Sequence, residues 1–159
     1  MRVLDLTGNA ATQLPPGTEF VQEAGDASVD MIVTRGHLSR LEAGEAYEQI
    51  EAWAAMLAPD GELHLFEPSA EWAAREILGR RYDAHVFLHL FGMPDSPHRM
   101  CYTLEMLRDL LTYAGLLPRT AETRAYPVLT TADGQIKMGE LHYIVGIKSG
   151  ERMSKAWLP

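Results

Sequence analysis

Cysteine is nearly absent from this sequence of 159 residues, in which Cys101 is the single thiol. One cysteine excludes an intramolecular disulfide and any zinc module built from several cysteines. Long apolar segments are lacking as well, so no stretch predicts a membrane-spanning helix, and the residues after Met1 show no signal-peptide pattern. These absences predict a soluble protein of a reducing, cytoplasmic compartment.

Basic residues are also scarce, with 14 Lys and Arg against 22 Asp and Glu and a formal net charge of −8. Non-specific binding to nucleic acid requires clustered cations that neutralise phosphates, so this balance argues against it and against an anionic membrane surface. The remaining composition, 47% hydrophobic and 23% charged, is ordinary for a globular protein. We predict one domain over residues 1–150 and a polar tail over residues 151–159.

The most informative stretch of the chain is Ser28–Glu67. An apolar run at 29–33 predicts a strand that is covered on both faces. Apolar residues then recur at helical spacing over 46–57, and Pro59-Asp60-Gly61 is predicted to end that helix. A second apolar strand is predicted over 63–66. Strand, helix and strand in this order predict a βαβ unit.

The same signals predict the other elements of the chain. Ser69 and Thr103 each precede an amphipathic segment and are predicted N-caps. The predicted strands lie at 2–6, 18–22, 117–126 and 139–148, and the predicted helices at 70–78 and 104–114. We expect residues 128–137 to form an excursion around the Asp133-Gly134 turn.

Several segments resemble the class I S-adenosylmethionine-dependent methyltransferases. VDMIV at 29–33, HLSRL at 37–41 and WAAMLAPDGELHLFEP at 53–68 are similar to the second half of that family in order and spacing. VLDLTGN at 3–9 is similar to its first motif, in which an apolar strand leads to an acidic residue and a glycine-rich loop. HRMCYTLEMLRDLLTYAGL at 98–116 resembles a segment that short members carry after their fifth strand.

The resemblance implies an α/β fold. The expected architecture is a Rossmann-like, mostly parallel sheet with an antiparallel last strand and helices on both faces. Full members place a helix and a third strand between the first strand and the strand that corresponds to VDMIV. Here only residues 7–28 separate the two. We therefore predict that the fold is truncated between the family's first and fourth strands.

The resemblance also implies that S-adenosylmethionine is the cofactor. The residues it assigns to cofactor binding are Asp5, Thr7, Gly8, Asn9, Glu23, Arg35 and Gly36. In the family, glycines let the backbone pass close to the methionine part of the cofactor, but only Gly8 is present here. An acid after the second strand suits the ribose hydroxyls because a carboxylate offers two acceptor oxygens. The alternatives are a strand-ending turn at Thr7-Gly8-Asn9 and a solvated loop acid at Glu23.

The candidates for catalysis are His37, His98 and Arg99. His37 follows the carboxyl end of a predicted strand, where ligands bind in open α/β sheets. The alternatives are a structural role for His37 and a loop-anchoring role for the His98-Arg99 pair. His85 and His89 are four residues apart and would share one face of a helix. No third ligand stands near them in the sequence, so no metal site is predicted.

The sequence is compatible with three functions. The first is a methyltransferase-like enzyme that binds the cofactor at the strand ends and acts on an unidentified acceptor. The second is a catalytically inactive relative that acts as a scaffold. Truncation would expose sheet edges and apolar helix surface, which self-association into a homo-oligomer would cover. A metal-dependent hydrolase using His85 and His89 is a distant third.

Overall fold

The computed structural model describes residues 1–7, 16–81 and 83–149. Its central sheet has six strands in the order β2-β1-β3-β4-β8-β7. In chain order the strands are β1 (Arg2–Asp5), β2 (Glu19–Val21), β3 (Val29–Arg35), β4 (Leu57–Pro68), β5 (Gly92–Met93), β6 (Ser96–Pro97), β7 (Leu116–Thr130) and β8 (Ile136–Lys148). β1 to β4 are parallel, β8 is antiparallel to both of its neighbours, and β5 and β6 form a separate small hairpin. The predicted mostly parallel sheet with a reversed last strand is confirmed.

In the part of the chain that the structure describes, four helices and one 3-10 turn accompany the sheet. They are the 3-10 turn Leu38–Arg40 and the helices α1 (Ala43–Met56), α2 (Ala70–Leu78), α3 (Ala84–Phe91) and α4 (Leu104–Tyr113). Both predicted N-caps form: Ser69 Oγ accepts from the Trp72 N–H at 3.0 Å, and Thr103 Oγ accepts from the Met106 N–H at 3.1 Å. Within the described ranges, no helix combines the length and the apolar character that crossing a membrane requires.

Helices cover both faces of the sheet, as predicted. The side chain of Leu111 in α4 lies 2.7 Å from the place that a Cβ on Gly146 would take. The ring of His89 in α3 lies 3.1 Å from the corresponding place at Gly139. These two glycines are an odd number of positions apart on β8, and side chains on a strand alternate between faces. α3 and α4 therefore pack on opposite faces.

The main core lies between the sheet and the pair α1 and α4. β4 contributes Leu63 and Leu65, which are fully buried, while the alternate residues His64 and Phe66 are half-buried on the other face. The large fully buried side chains of this core include Ile32, Leu38, Ile50, Trp53, Leu57, Leu107, Leu111 and Ile144. A smaller cluster joins α2 to α3 through Trp72, Ala73 and Val86.

The prediction that Pro59-Asp60-Gly61 ends the helix is wrong, because α1 already ends at Met56. α1 passes directly into β4, and the tripeptide lies inside that strand. Asp60 adopts a left-handed backbone with φ of 63°, and the pairing of β3 with β4 changes register between Val29 and Met31. The local twist is absorbed as a bulge, so the strand continues through it.

The last two strands are longer than predicted. Pairing continues from Leu116↔Lys148 to Thr130↔Ile136, so the expected excursion shrinks to the turn at 131–135. Leu78, the last residue of α2, is 84% exposed. Ile77 packs against the cluster between α2 and α3 instead.

The β1–β2 side of the sheet is short. Residues 6–18 connect β1 to β2, and residues 22–28 connect β2 to β3. In the described part of the chain, β2 is the only strand between β1 and β3 in sequence, and no helix precedes Leu38. The described elements agree with the predicted truncation between the first and fourth strands of the family fold.

Candidate functional site

A cleft opens at the carboxyl ends of β1 and β2, next to the segment that follows β3. Its volume is about 450 Å³. Its lining residues come from β1, from the segments after β2 and β3, and from α1: Leu4, Leu6, Gln22, Glu23, Ala24, His37, Gln49, Trp53 and Met56. Ligands of open α/β sheets bind outside the carboxyl ends of the strands, so this cleft occupies the expected place.

The predicted ribose-binding acid, Glu23, lies in the wall of this cleft. It stands two residues beyond the end of β2, so the strand sets its position at the rim. Its neighbours in the wall are largely apolar: Leu4, Leu6 and Ala24. Of the described residues that line the cleft, Glu23 alone carries a carboxylate. It therefore offers the cleft two hydrogen-bond acceptors in a mainly apolar surrounding.

The end of β1 is fixed by a local turn at Asp5 and Thr7. Asp5 Oδ1 accepts from the backbone N–H of Thr7 at 2.8 Å and from its hydroxyl at 2.7 Å. The N–H of Leu6 donates to the carbonyl of Val33 at 2.9 Å. These bonds direct the chain out of the sheet beside the cleft. Gly8 and Asn9, the other predicted binding residues of this segment, lie outside the described residues.

The segment after β3 brings His37 to the cleft. Gly36 has a φ of 60°, which favours glycine, and its N–H donates to the carbonyl of Phe66 at 2.7 Å. The ring of His37 then packs edge-on against Trp53 with 5.3 Å between ring centroids. Burial and the nearby charge of Arg40 lower the pKa of His37, so the ring is neutral at pH 7. A neutral imidazole can accept a proton or a hydrogen bond.

Glu67, which sequence reasoning did not single out, lies beneath this segment. Its side chain is fully buried at the carboxyl end of β4. Its two oxygens accept from the backbone N–H groups of Leu38 and Ser39, each at 3.0 Å. Burial raises the pKa of Glu67 to about 7 against the lowering effect of these hydrogen bonds. The buried carboxyl group of Glu67 therefore binds the backbone of the segment that carries His37.

The other predicted site residues lie near the cleft but do not line it. The guanidinium of Arg35 stands over the Tyr126 ring, 5.5 Å from its centroid. His98 Nδ1 donates to the carbonyl of His89 at 3.0 Å. Arg99 forms an exposed ion pair with Glu42.

The backbone of Arg99 meets the segment after β3 directly. Its N–H donates to the carbonyl of Ser39 at 2.6 Å, and the N–H of Met100 donates to the same oxygen at 3.1 Å. His98 and Arg99 therefore stand beside the His37 segment, in contact with it through the backbone. Their predicted part in catalysis stays a prediction.

Comparisons with known proteins address the fold. No protein-family model matches the sequence, and no curated protein matches it. A methyltransferase of Methanosarcina mazei that depends on S-adenosylmethionine superposes with a TM-score of 0.52 and 19% identity, over 89% of this chain and 75% of that chain. The 1,6-didemethyltoxoflavin-N1-methyltransferase of Burkholderia thailandensis, solved with S-adenosylhomocysteine, gives 0.56 and 16% over 93% and 71%. YcgJ of Bacillus subtilis gives 0.52 and 14% over 84% and 72%.

This chain has the fold of the S-adenosylmethionine-dependent methyltransferases. At these identities the likeness establishes the architecture, which the resemblance in the sequence implied. In this methyltransferase fold the cleft lies between the ends of β1 and β2 and the carboxyl-terminal half of α1. Trp53 and Met56 of α1 line it. Apolar residues at helical spacing have the same sequence pattern whether they face the core or a cleft, so the pattern does not distinguish the two.

The two histidines of α3 are buried and pack beside Trp72. His89 Nε2 lies 2.9 Å from the carbonyl of Ser69, so it carries the proton and donates, and Nδ1 accepts from the Tyr126 hydroxyl at 2.9 Å. Burial lowers the pKa of His89 to about 4. His85 packs beside Trp72. Among the described residues, no group of three or more His, Cys, Asp or Glu side chains could hold a metal ion.

Proposed function

We propose that this chain binds S-adenosylmethionine in the cleft at the ends of β1 and β2 and transfers its methyl group to an acceptor that is still to be identified. The observation that carries the proposal is the position of the cleft, at the strand ends of a methyltransferase fold, with the carboxylate of Glu23 in its wall. The methyltransferases that share the fold support the same conclusion.

The cleft suits the cofactor in size and in chemistry. A volume of about 450 Å³ lies within the range of roughly 300 to 1,000 Å³ that is typical of small-molecule sites. The apolar side chains of Leu4, Leu6 and Trp53 would accommodate the adenine ring, and Glu23 would accept hydrogen bonds from the ribose hydroxyls. The backbone turn at Asp5 and the predicted loop after it would receive the methionine part.

Bound S-adenosylmethionine supplies an electrophilic methyl group on a sulfonium sulfur. The residues of this chain would contribute by holding the acceptor in line and by excluding water. His37 is neutral and lies in the cleft wall, so it is the best placed of the three catalytic candidates to take a proton from an acceptor. His98 and Arg99 would shape the neighbouring rim.

Calorimetric titration with S-adenosylhomocysteine tests the proposal. Glu23→Gln should weaken binding by at least about tenfold, because a charged acceptor of buried hydrogen bonds is worth roughly 1.5 to 3 kcal/mol. Glu19→Gln is the matched control, since Glu19 lies in β2 just before Glu23, pairs with Arg2 and does not line the cleft. No heat of binding to the wild type at millimolar ligand would contradict the proposal.

A scaffold without catalytic activity is the second candidate, and exposed apolar side chains favour it. Leu78, Phe91 and Met93 are 84%, 61% and 53% exposed, and the Phe87 ring stacks on that of Phe91. Apolar surface of this kind is typical of interaction sites. Self-association into a homo-oligomer that is lost in Phe91→Ser, together with no response to S-adenosylhomocysteine, would favour the scaffold. Analytical ultracentrifugation measures the first and calorimetry the second.

A further inference from the structure

The carboxyl group of Glu67 is placed unusually for a charged residue type. Its side chain has no exposed surface, and both of its oxygens are used by consecutive backbone N–H groups of the 3-10 turn Leu38–Arg40. A buried carboxyl group is costly unless hydrogen bonds compensate for the loss of water. Among the described residues, the hydrogen bonds that compensate Glu67 come from the segment that carries His37.

The other hydrogen bonds of this segment involve backbone groups or the single hydroxyls of Ser39 and Tyr102. Gly36 is held by the carbonyl of Phe66, and the Ser39 carbonyl accepts from two N–H groups of the 99–100 segment. The Ser39 hydroxyl bonds within the segment itself, to the carbonyl of Gly36 at 3.1 Å. The Tyr102 hydroxyl donates to the carbonyl of Leu38 at 3.3 Å. Among the described residues, Glu67 alone binds two N–H groups of the segment through a buried side chain.

The direction of the His37 ring follows from this arrangement. His37 immediately precedes the two residues whose N–H groups Glu67 accepts. The same carboxyl group extends from the end of β4, which pairs with β3. β4 packs in the main core, so the position of Glu67 is fixed. Its two hydrogen bonds therefore fix the backbone of the segment, and the His37 ring packs against Trp53 at the cleft.

We propose that Glu67 is a positioning residue, which fixes the segment after β3 through its two backbone hydrogen bonds and thereby places His37 in the wall of the cleft. Its consequence for cofactor binding rests on the proposed function, whereas its hold on the segment does not. Removing one acceptor frees one buried N–H group, and removing both frees two. The effect should therefore increase from Glu67→Gln to Glu67→Ala.

The first measurement needs no ligand. NMR on the full chain would follow amide hydrogen exchange at Leu38 and Ser39 and the Cε1–H resonance of His37, which the Trp53 ring shifts. In Glu67→Gln, exchange at one of these two amides should rise by at least about tenfold and the His37 resonance should move, while amides of α4 keep their protection. Unchanged exchange at Leu38 and Ser39 and an unmoved His37 resonance would overturn the proposal.

The second measurement is the affinity for S-adenosylhomocysteine. Glu67→Gln should weaken it by roughly fivefold or more, because a displaced segment must be reordered on binding. Glu42→Gln is the matched control: it removes a carboxylate next to the same segment that bonds to neither Leu38 nor Ser39. Equal affinity of wild type and Glu67→Gln would overturn the link to the cleft. If the wild type does not bind, the proposed function fails and the NMR result alone decides the hold on the segment.

Discussion

At one end of the sheet, β7 and β8 have 15 and 13 residues, whereas β1 and β2 at the other end have 4 and 3. β4 and β8 face the large core beneath α1 and α4, and the β1–β2 end adds Leu4 and the half-buried Val21 to it. The cleft nevertheless opens at the short end. The comparison teaches that the stability of the fold and the candidate binding site depend on different parts of one sheet.

The largest effect should come from a core isoleucine of the long end. Ile144→Ala in β8 should lower the free energy of unfolding by about 3 kcal/mol, because Ile144 is fully buried in the main core. Phe20→Ala in β2 should cost less than about 1 kcal/mol, since Phe20 is 46% exposed. Urea denaturation of both variants measures the contrast. Equal losses would show that the short end is as strongly stabilised as the long one.

A pH effect of similar size on the free energy of unfolding should come from Glu67. This residue extends from β4 and bonds to the segment beside the cleft. Its pKa is raised on folding from 4.5 to about 7, so its contribution to stability is complete below pH 4.5 and is lost as pH rises through 7. Between these limits the wild type should lose about 3 kcal/mol relative to Glu67→Gln, by the free-energy equivalent of the shift in pKa. Denaturation at a series of pH values checks this. A constant difference between the two proteins would contradict it.

A smaller effect is expected where the long hairpin meets α3. Tyr126→Phe removes the hydroxyl that donates to His89 Nδ1 and leaves a buried acceptor without a partner, at a cost of about 1 to 2 kcal/mol. Tyr113→Phe is the control, because Tyr113 is 56% exposed on α4 and should change stability by less than about 0.5 kcal/mol. Thermal unfolding compares them. The same loss from both would show that this contact adds nothing specific.

The sequence predicted most of the elements whose signals are local. α2 has the predicted bounds because Ser69 caps it and its apolar spacing is regular, and Thr103 begins α4 in the same way. The resemblance to the methyltransferases added the mostly parallel sheet with an antiparallel last strand, which is confirmed. The Pro59-Asp60-Gly61 turn was misjudged because a left-handed Asp60 permits a bulge inside a continuous strand.

The site was only partly predictable, because its main contacts are distant in sequence. Glu23 and His37 could be proposed from their places after strands. Glu67 could not, since its partners Leu38 and Ser39 precede it by 29 and 28 residues and contribute only backbone groups. No side-chain pattern records such a contact. Trp53 is buried in the core and also lines the cleft beside the short β1–β2 end. Its helical spacing does not predict this second contact.

The central claim is that the short end of the sheet binds S-adenosylmethionine, and mapping by NMR tests it most directly. Amide resonances of the full chain would be followed during titration with S-adenosylhomocysteine. We predict that the shifts concentrate at residues 4–6, 22–24 and 36–38, while residues 126–140 of the long hairpin stay unmoved. No shifts at millimolar ligand, or shifts that cluster on the hairpin, would contradict the claim.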